Sequence, residues 1–208
     1  FLACKPDINK PKNLNKTQNY TVKISGNSDE KGFNKNITFY DDSAFYETSF
    51  KHIDKEIRGE SITRVLKNIR NPKLLEFNSF GENTFYRTRI IVTPGDSVNY
   101  KLKETKLEFI GEKNEHYNFY LELDRNYDAW SKLHLNKYNP DFKKYKLQCD
   151  SLYNKRLTFF NDYVKKHSTV SKEFKKIIQN DLRLEYLVNL IKPRSETQSK
   201  WNVNTSED

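Results

Sequence analysis

The sequence has 208 residues and a formal net charge of +9, from 37 lysines and arginines against 28 acidic residues. Hydrophobic residues are only 35% of the chain, but aromatic residues are 14%, and their large side chains supply enough apolar area for a sizeable core. Arginine, which makes bidentate contacts to phosphates and bases, is scarce beside lysine, and no basic stripe or zinc-finger spacing is present. We therefore predict a lysine-rich, solvated surface and no nucleic-acid partner.

The two cysteines, Cys4 and Cys149, are too far apart in sequence to form a dithiol motif or a zinc knuckle. The segment Phe1-Leu2-Ala3-Cys4 resembles the cleavage site of a bacterial lipoprotein signal, in which the cysteine is acylated. We predict lipidation of Cys4, which would place the chain on a membrane of the cell envelope, facing the periplasm or the outside. The alternative is a cysteine that occurs there by chance. The polar residues that follow predict an anchor and flexible tether over 1–18.

The region from residue 19 to residue 111 has the rhythm of short β-strands separated by turns. Apolar and polar residues alternate, as around Val22 and Ile24, and turn residues recur about every 8–12 positions. This pattern predicts an antiparallel β-sandwich of about seven strands. The predicted strands begin near Tyr20, Ile37, Phe45, Leu74, Phe85, Val98 and Leu107.

Pro94, Gly95 and Asp96 predict a tight turn between the strand that ends at Val92 and the strand that begins near Val98. Proline fixes φ at the second position of such a turn, and glycine accepts positive φ at the third. We expect a hairpin-like corner of an antiparallel sheet here.

The same stretch contains an alternative. Gly95-Asp96-Ser97-Val98 superficially resembles the Gly-Asp-Ser-Leu signature of serine esterases, which would make Ser97 a nucleophile. That chemistry needs a histidine oriented by a carboxylate, and the sequence has no Asp-x-x-His segment, since Asp162 and His167 are five positions apart. We favour the turn and predict no catalytic residue. The four histidines also lack metal-ligand spacing, so no metal or other cofactor is predicted.

Beyond Gly111 the apolar period changes to three and four residues, which predicts two or three antiparallel helices over 112–193. Asn139-Pro140 resembles a helix start, Ser168 or Ser171 can cap the last helix, and Pro193 is predicted to end it. Residues 194–208 are predicted to be a polar linker or tail.

One apolar stripe is predicted along the long helix that follows Asn139-Pro140, interrupted only by Arg156. Cys149 lies within the stripe, and we interpret it as a small buried hydrophobe and not as a reactive thiol. The stripe comprises Phe142, Tyr145, Cys149, Leu152, Phe159 and Tyr163.

The order of these parts resembles the N-terminal region of envelope thiol–disulfide interchange proteins of the TlpA-like group. The segments that carry the resemblance are Ile90 to Val98, Phe109-Ile110-Gly111, His116 to Tyr120 and Phe174 to Pro193. It covers roughly residues 20–193 and implies a β-sandwich domain of unassigned role, a helical segment and a following thioredoxin domain. The catalytic centre of that group is a Cys-x-x-Cys motif, which this sequence lacks, so no catalytic residue is carried over.

Three functions follow as expectations. The first is a non-catalytic accessory module of an envelope thioredoxin-like lipoprotein, with a downstream thioredoxin domain or a client protein as partner. The second is a separate envelope lipoprotein whose sandwich binds a glycan or small ligand through exposed aromatics such as Tyr46, Tyr86 or Trp130. The third is an esterase that uses Ser97.

Overall fold

A computed structural model describes residues 20–41, 62–81, 85–128, 133–135 and 140–201, the last ten of them as backbone only. The described chain is α+β, as predicted, with its helices C-terminal to its strands. The strands are β1 (Val22–Ser28), β2 (Thr38–Asp41), β3 (Ile62–Leu66), β4 (Lys73–Phe80), β5 (Phe85–Val92), β6 (Ser97–Lys103) and β7 (Lys106–Ile110). A short 3₁₀ helix, Phe33–Asn36, precedes β2, and the helices are α1 (Asn114–Tyr127), α2 (Phe142–Lys166) and α3 (Lys172–Trp201). The strand predicted from Phe45 lies outside the described residues.

The strands form two sheets that pack face to face around an aromatic core. One sheet has the order β3-β1-β6-β7 and the other the order β2-β4-β5. Strict alternation of buried and exposed residues along β6 and β7 gives the first sheet one apolar face. Phe77 on β4 reaches across to Tyr100 and Phe109 of the other sheet, with ring centroids 6.0 and 5.7 Å away. These edge-to-face contacts join the two sheets.

Two details of the predicted sandwich are wrong. The sheet that contains β1 is mixed and not antiparallel, because β1 pairs in parallel with β6. In addition, β5 and β6 do not form a corner of one sheet: β5 pairs with β4, and β6 pairs with β1 and β7. The chain crosses from one sheet to the other at residues 93–96, so β6 enters its sheet from the same end as β1.

The crossing is made by the turn Thr93-Pro94-Gly95-Asp96. Gly95 has a φ of 87°, and the Asp96 amide donates to the Thr93 carbonyl at 3.1 Å. A proline followed by a residue with positive φ is the pattern of a type II turn. The Gly95 amide donates to the carbonyl of Thr21 at 2.9 Å, which ties the turn to the start of β1.

We expect Gly95→Val to lower the free energy of unfolding by about 1–3 kcal/mol, because valine at positive φ is strained. Gly95→Asn is the matched control, since asparagine tolerates this conformation far better. Urea denaturation of both variants measures the difference. Equal stability of the valine and asparagine variants would contradict this turn geometry.

The three helices pack as a layer in which neighbours in sequence are antiparallel. Tyr163, late in α2, donates to the carbonyl of Glu115 at the start of α1 at 2.8 Å. Tyr145, early in α2, donates to the carbonyl of Asn189, late in α3, at 3.1 Å. Leu74 and Ile91, from β4 and β5, belong to the same buried cluster as the helices, so the layer covers the outer face of this sheet.

The helix boundaries differ from the predicted ones at two prolines. The N-cap of α2 is Asp141 and not Asn139, and its carboxylate accepts the amide of Lys144 at 2.8 Å. The prediction that Pro193 ends the last helix is wrong, because α3 continues to Trp201. A proline at position 193 cannot donate to the carbonyl of Asn189, four residues earlier. The hydroxyl of Tyr145 donates to that carbonyl instead, so the lost helical hydrogen bond is replaced.

At the other end of α3, the side chain of Ser171 accepts the amide of Phe174, in agreement with its predicted role as a cap.

Candidate functional site

A cluster of charged side chains lies where β5 meets the helices. Arg89 of β5 forms ion pairs with Asp181 at 2.8 Å and with Glu185 at 3.4 Å, both on α3. The ring of Tyr120 on α1 lies under the Arg89 guanidinium, 3.9 Å from its centroid, and the Tyr120 hydroxyl donates to Asp181. The nearby carboxylates and this ring hold the pKa of Arg89 well above its usual value, against the opposing effect of burial.

Arg156 extends the cluster into the centre of the helical layer. It is only 3% exposed, and it pairs with Glu185 of α3 at 3.0 Å and with Asp124 of α1 at 3.2 Å. It also donates to the carbonyl of Tyr127 at 2.6 Å. The sequence pattern placed Arg156 as a break in the apolar stripe, but the structure buries it on the same face. Burial raises the pKa of the Asp124 carboxyl, and the two arginines oppose that rise.

The cluster connects the sheet to all three helices, and it leaves little space for a ligand. The groove beside it, between α2 and α3, has a volume of about 10 Å³, which is room for about one water molecule. Cys149 lines this groove and is 2% exposed, so its predicted burial is confirmed. Burial also raises the pKa of the Cys149 thiol, which makes the reactive thiolate scarce at neutral pH.

The predicted turn residue Asp96 has a second role at the base of α1. Its buried carboxylate accepts the Thr93 amide at 2.7 Å and the Thr93 hydroxyl at 2.5 Å. Lys113, just before α1, donates to it at 2.6 Å, and Tyr117 also hydrogen bonds to it. Asp96 therefore fastens the sheet crossing to the first helix.

Ser97, the nucleophile of the esterase alternative, lies exposed at the start of β6. His116, near the start of α1, is 4% exposed and stacks on Phe174 with ring centroids 4.8 Å apart. Its Nε2 accepts the amide of Ser171, and within the described residues its Nδ1 has no hydrogen-bond partner. Neither nitrogen of His116 is therefore bonded to Ser97.

Neutral His116 stabilises the junction of α1 and α3, which makes stability depend on pH. Burial lowers the pKa of His116 below 6.5, and Lys113 lowers it further, whereas Glu115 and Asp96 oppose this change. The unfolded chain binds a proton at His116 more readily than the folded chain does. The contribution of His116 to the free energy of unfolding is therefore fully present above its pKa in the unfolded chain, and it is lost as the pH falls through its pKa in the folded chain. We expect wild type to lose more stability than His116→Gln between pH 7.5 and pH 5, by at most about 1.4 kcal/mol per pH unit. Urea denaturation at the two pH values measures this, and equal losses would contradict the assignment.

Of the three aromatic residues that the sequence suggested as exposed, one lies within the described residues, and it is buried. Tyr86 is only 8% exposed and donates to Glu30 at 2.5 Å, so it does not present a ring to solvent. Tyr46, Trp130 and the predicted lipidation residue Cys4 lie outside the described residues. Phe80 and Phe85 are instead 56% and 51% exposed, with ring centroids 4.6 Å apart.

Within the described ranges, no three histidine, cysteine or acidic side chains are grouped so that they could hold a metal ion. None of the described helices combines the length and the apolar character needed to cross a bilayer. Comparison with known proteins gives no match to a family model and no match to a curated protein. The resemblance to thiol–disulfide interchange proteins therefore rests on the residues named for it.

Sequence reasoning missed Phe80 and Phe85 for a specific reason. Both are large apolar residues at strand ends, and alternation along β4 and β5 assigns them to the face opposite to Ser79 and Tyr86. The signal was therefore present in the sequence. The alternation identifies Phe80 and Phe85 as neighbours only when the pairing of β4 with β5 is known, because in that register Phe80 pairs with Phe85 and Ser79 pairs with Tyr86.

Proposed function

We propose that this chain is a non-catalytic interaction module of a bacterial cell-envelope lipoprotein of the thioredoxin-like, thiol–disulfide interchange type. The observation that carries the proposal is the exposed pair Phe80 and Phe85, which would contact a client protein or a downstream redox domain. Large aromatic side chains dominate the energetics of protein interfaces, and a preformed pair loses little conformational entropy on binding. The resemblance of residues 20–193 supplies the protein class.

The pair stands on a fixed base. The Tyr86 hydroxyl and Glu30 are hydrogen bonded at 2.5 Å, and a Cβ added to Gly81 would lie 1.7 Å from the Glu30 carboxylate. Glycine at position 81 therefore lets Glu30 pack closely beside the end of β4. Ser79 is fully buried and donates to the carbonyl of Phe33 at 2.6 Å, which fixes the same strand end from the other side. Preorganisation of this kind favours binding.

The charged cluster around Arg89 and Arg156 supports the same proposal. Arg89 joins β5 to α3 through ion pairs at 2.8 and 3.4 Å, and Arg156 links the three helices through pairs at 3.0 and 3.2 Å, so the aromatic pair and α3 would move as one body. A rigid body of this kind could hold a partner at a set distance from a redox domain.

The experiment places a photo-crosslinking phenylalanine analogue at position 85 in the full-length protein, in the cells that make it. We expect a cross-link to a thioredoxin domain of the same protein or to a second, cysteine-containing envelope protein. The matched control carries the analogue at Leu147, which is 62% exposed on α2. The purified 208-residue chain should also show no dithiol reductase activity towards insulin.

Two results would overturn the proposal. One is a protein cross-link at position 85 that is no stronger than at position 147. The other is robust insulin reduction by the purified chain. Membrane attachment is tested separately with Cys4→Ser. This change removes the residue predicted to be acylated, and stable anchoring needs two or more acyl chains. The variant should therefore move from the membrane fraction to the soluble fraction.

The same aromatic pair also favours a second candidate, a glycan-binding lipoprotein, because sugar rings stack on exposed aromatic faces. A glycan array probed with wild type and with Phe80→Ser/Phe85→Ser distinguishes the two functions. Sugar binding that the double variant loses, together with no protein cross-link at position 85, would favour the glycan function.

A further inference from the structure

Arg64 lies inside the sandwich, and no acidic side chain among the described residues is paired with it. It is on β3, where alternation directs Arg64 and Leu66 to the interior, and it is 2% exposed. Its register partner is Ile24, and the neighbouring core residues Phe33 and Tyr100 are also buried. A guanidinium in this position is shielded from water, and a buried charge is unfavourable unless it is paired with an opposite charge.

Most of the hydrogen-bonding capacity of Arg64 is unused. Nη2 donates to the carbonyl of Asn34 at 3.1 Å, in the 3₁₀ helix. Nε and Nη1 are buried and have no partner within the described part of the chain, although a guanidinium has five N–H donors. Burial lowers the pKa of Arg64, and the one group that opposes this is the Tyr100 hydroxyl, which itself donates to Asn34.

Two other arginines with low exposure, Arg89 and Arg156, have the counter-charges that Arg64 lacks. Arg89 and Arg156 each have two carboxylates within ion-pair distance. Arg64 is at least as well buried as either of them, but it has no ion pair among the described residues. Arg64 therefore has buried donors that an oxyanion could accept from.

We propose that Arg64 is the anchor of a binding site for a small oxyanion, a carboxylate or a phosphate. Among the described strands, β3 is at the edge of its sheet, so an ion that approaches Arg64 from this side need not separate two of the described strand pairs. Nε and Nη1 would donate to its oxygens, as arginine does in charge-assisted pairs. Asn34 and Tyr100, already bonded to each other at 2.8 Å, line the same position.

The test measures thermal unfolding of the purified protein during titration with inorganic phosphate and, separately, with acetate, at constant ionic strength. Wild type should show a saturable rise in Tm with at least one of the two anions, and the stronger effect identifies the oxyanion class. Arg64→Met should weaken the apparent affinity at least about tenfold. Arg87→Met, at an arginine of β5 whose side chain is 51% exposed, is the matched control and should respond like wild type. No saturable shift in wild type, or the same shift in Arg64→Met, would overturn the proposal.

A second measurement does not depend on how the variant folds. In wild-type protein labelled with ¹⁵N-arginine, the anion should shift one of the two Nε–H resonances most protected from solvent exchange, which belong to Arg64 and Arg156, and a spectrum of Arg156→Lys identifies the one from Arg64. Movement confined to rapidly exchanging arginine resonances would overturn the proposal.

Discussion

Replacing Arg156 with alanine is expected to lower the free energy of unfolding by about 3–5 kcal/mol, the cost of removing one partner from a buried ion pair. The change would leave Glu185 and Asp124 without their shared cation, and the carbonyl of Tyr127 without its donor. It would also weaken the contact between α1 and α3 that Arg156 bridges. Urea denaturation monitored by far-UV circular dichroism measures the loss.

Arg87→Ala is the control for charge removal at the surface. Arg87 pairs with Glu76 at 2.6 Å, but its side chain is 51% exposed. We expect this variant to lose no more than about 1 kcal/mol, as is usual for exposed pairs. If Arg156→Ala were as mild as Arg87→Ala, the ion pairs of Arg156 would not hold the three helices together.

Replacing Phe119 with alanine is expected to cost about 3–5 kcal/mol, because it removes a fully buried ring and leaves a cavity. Phe119 lies on α1, at the centre of the helical layer. Its ring centroid is 5.1 Å from that of Tyr163 on α2 and 5.6 Å from that of Phe174 on α3. No other ring described here makes contacts with aromatic residues of all three helices, so this variant should loosen the whole layer.

Leu147→Ala is the matched control for the loss of apolar volume. Leu147 is 62% exposed, and its truncation should change stability by no more than about 0.5 kcal/mol. Thermal and urea denaturation of both variants make the comparison. A Phe119→Ala variant that stays within that narrow range would contradict the burial of this ring between the helices.

The α+β class and most elements could be predicted because periodicity depends on local sequence. Val98, Tyr100 and Leu102 alternate on β6, and Tyr145, Cys149 and Leu152 follow the helical period on α2. The partners of each strand could not be predicted in this way. The turn at Pro94 and Gly95 fits a hairpin as well as a crossing between sheets, and only the long-range pairing of β1 with β6 distinguishes them.

Arg156 and Pro193 show where local rules fail. Arginine in an apolar stripe and proline in a helix are both unfavourable when considered alone. Asp124 and Glu185 compensate the first, and Tyr145 compensates the second. These partners are separated from them by 29 residues or more, so no sequence window contains both members.

Less of the candidate site than of the fold could be predicted from sequence. Tyr86 is aromatic, as an exposed stacking site requires, but it lies on the buried face of its strand. Phe80 and Phe85 became recognisable only once β4 and β5 were aligned in register. Arg64 carries no sequence signal for an anion site, because its unusual character comes from the absence of a carboxylate among its described neighbours in space.

The central claim is that the buried charged cluster makes the sandwich and the helices one rigid body that presents the aromatic pair. Native-state hydrogen exchange tests it most directly, by comparing the opening free energies of β5, α2 and α3 in wild-type protein. We expect the slowest amides of the three elements to open with the same free energy, equal to that of global unfolding. Helices that open at a clearly lower free energy than β5 would contradict the claim.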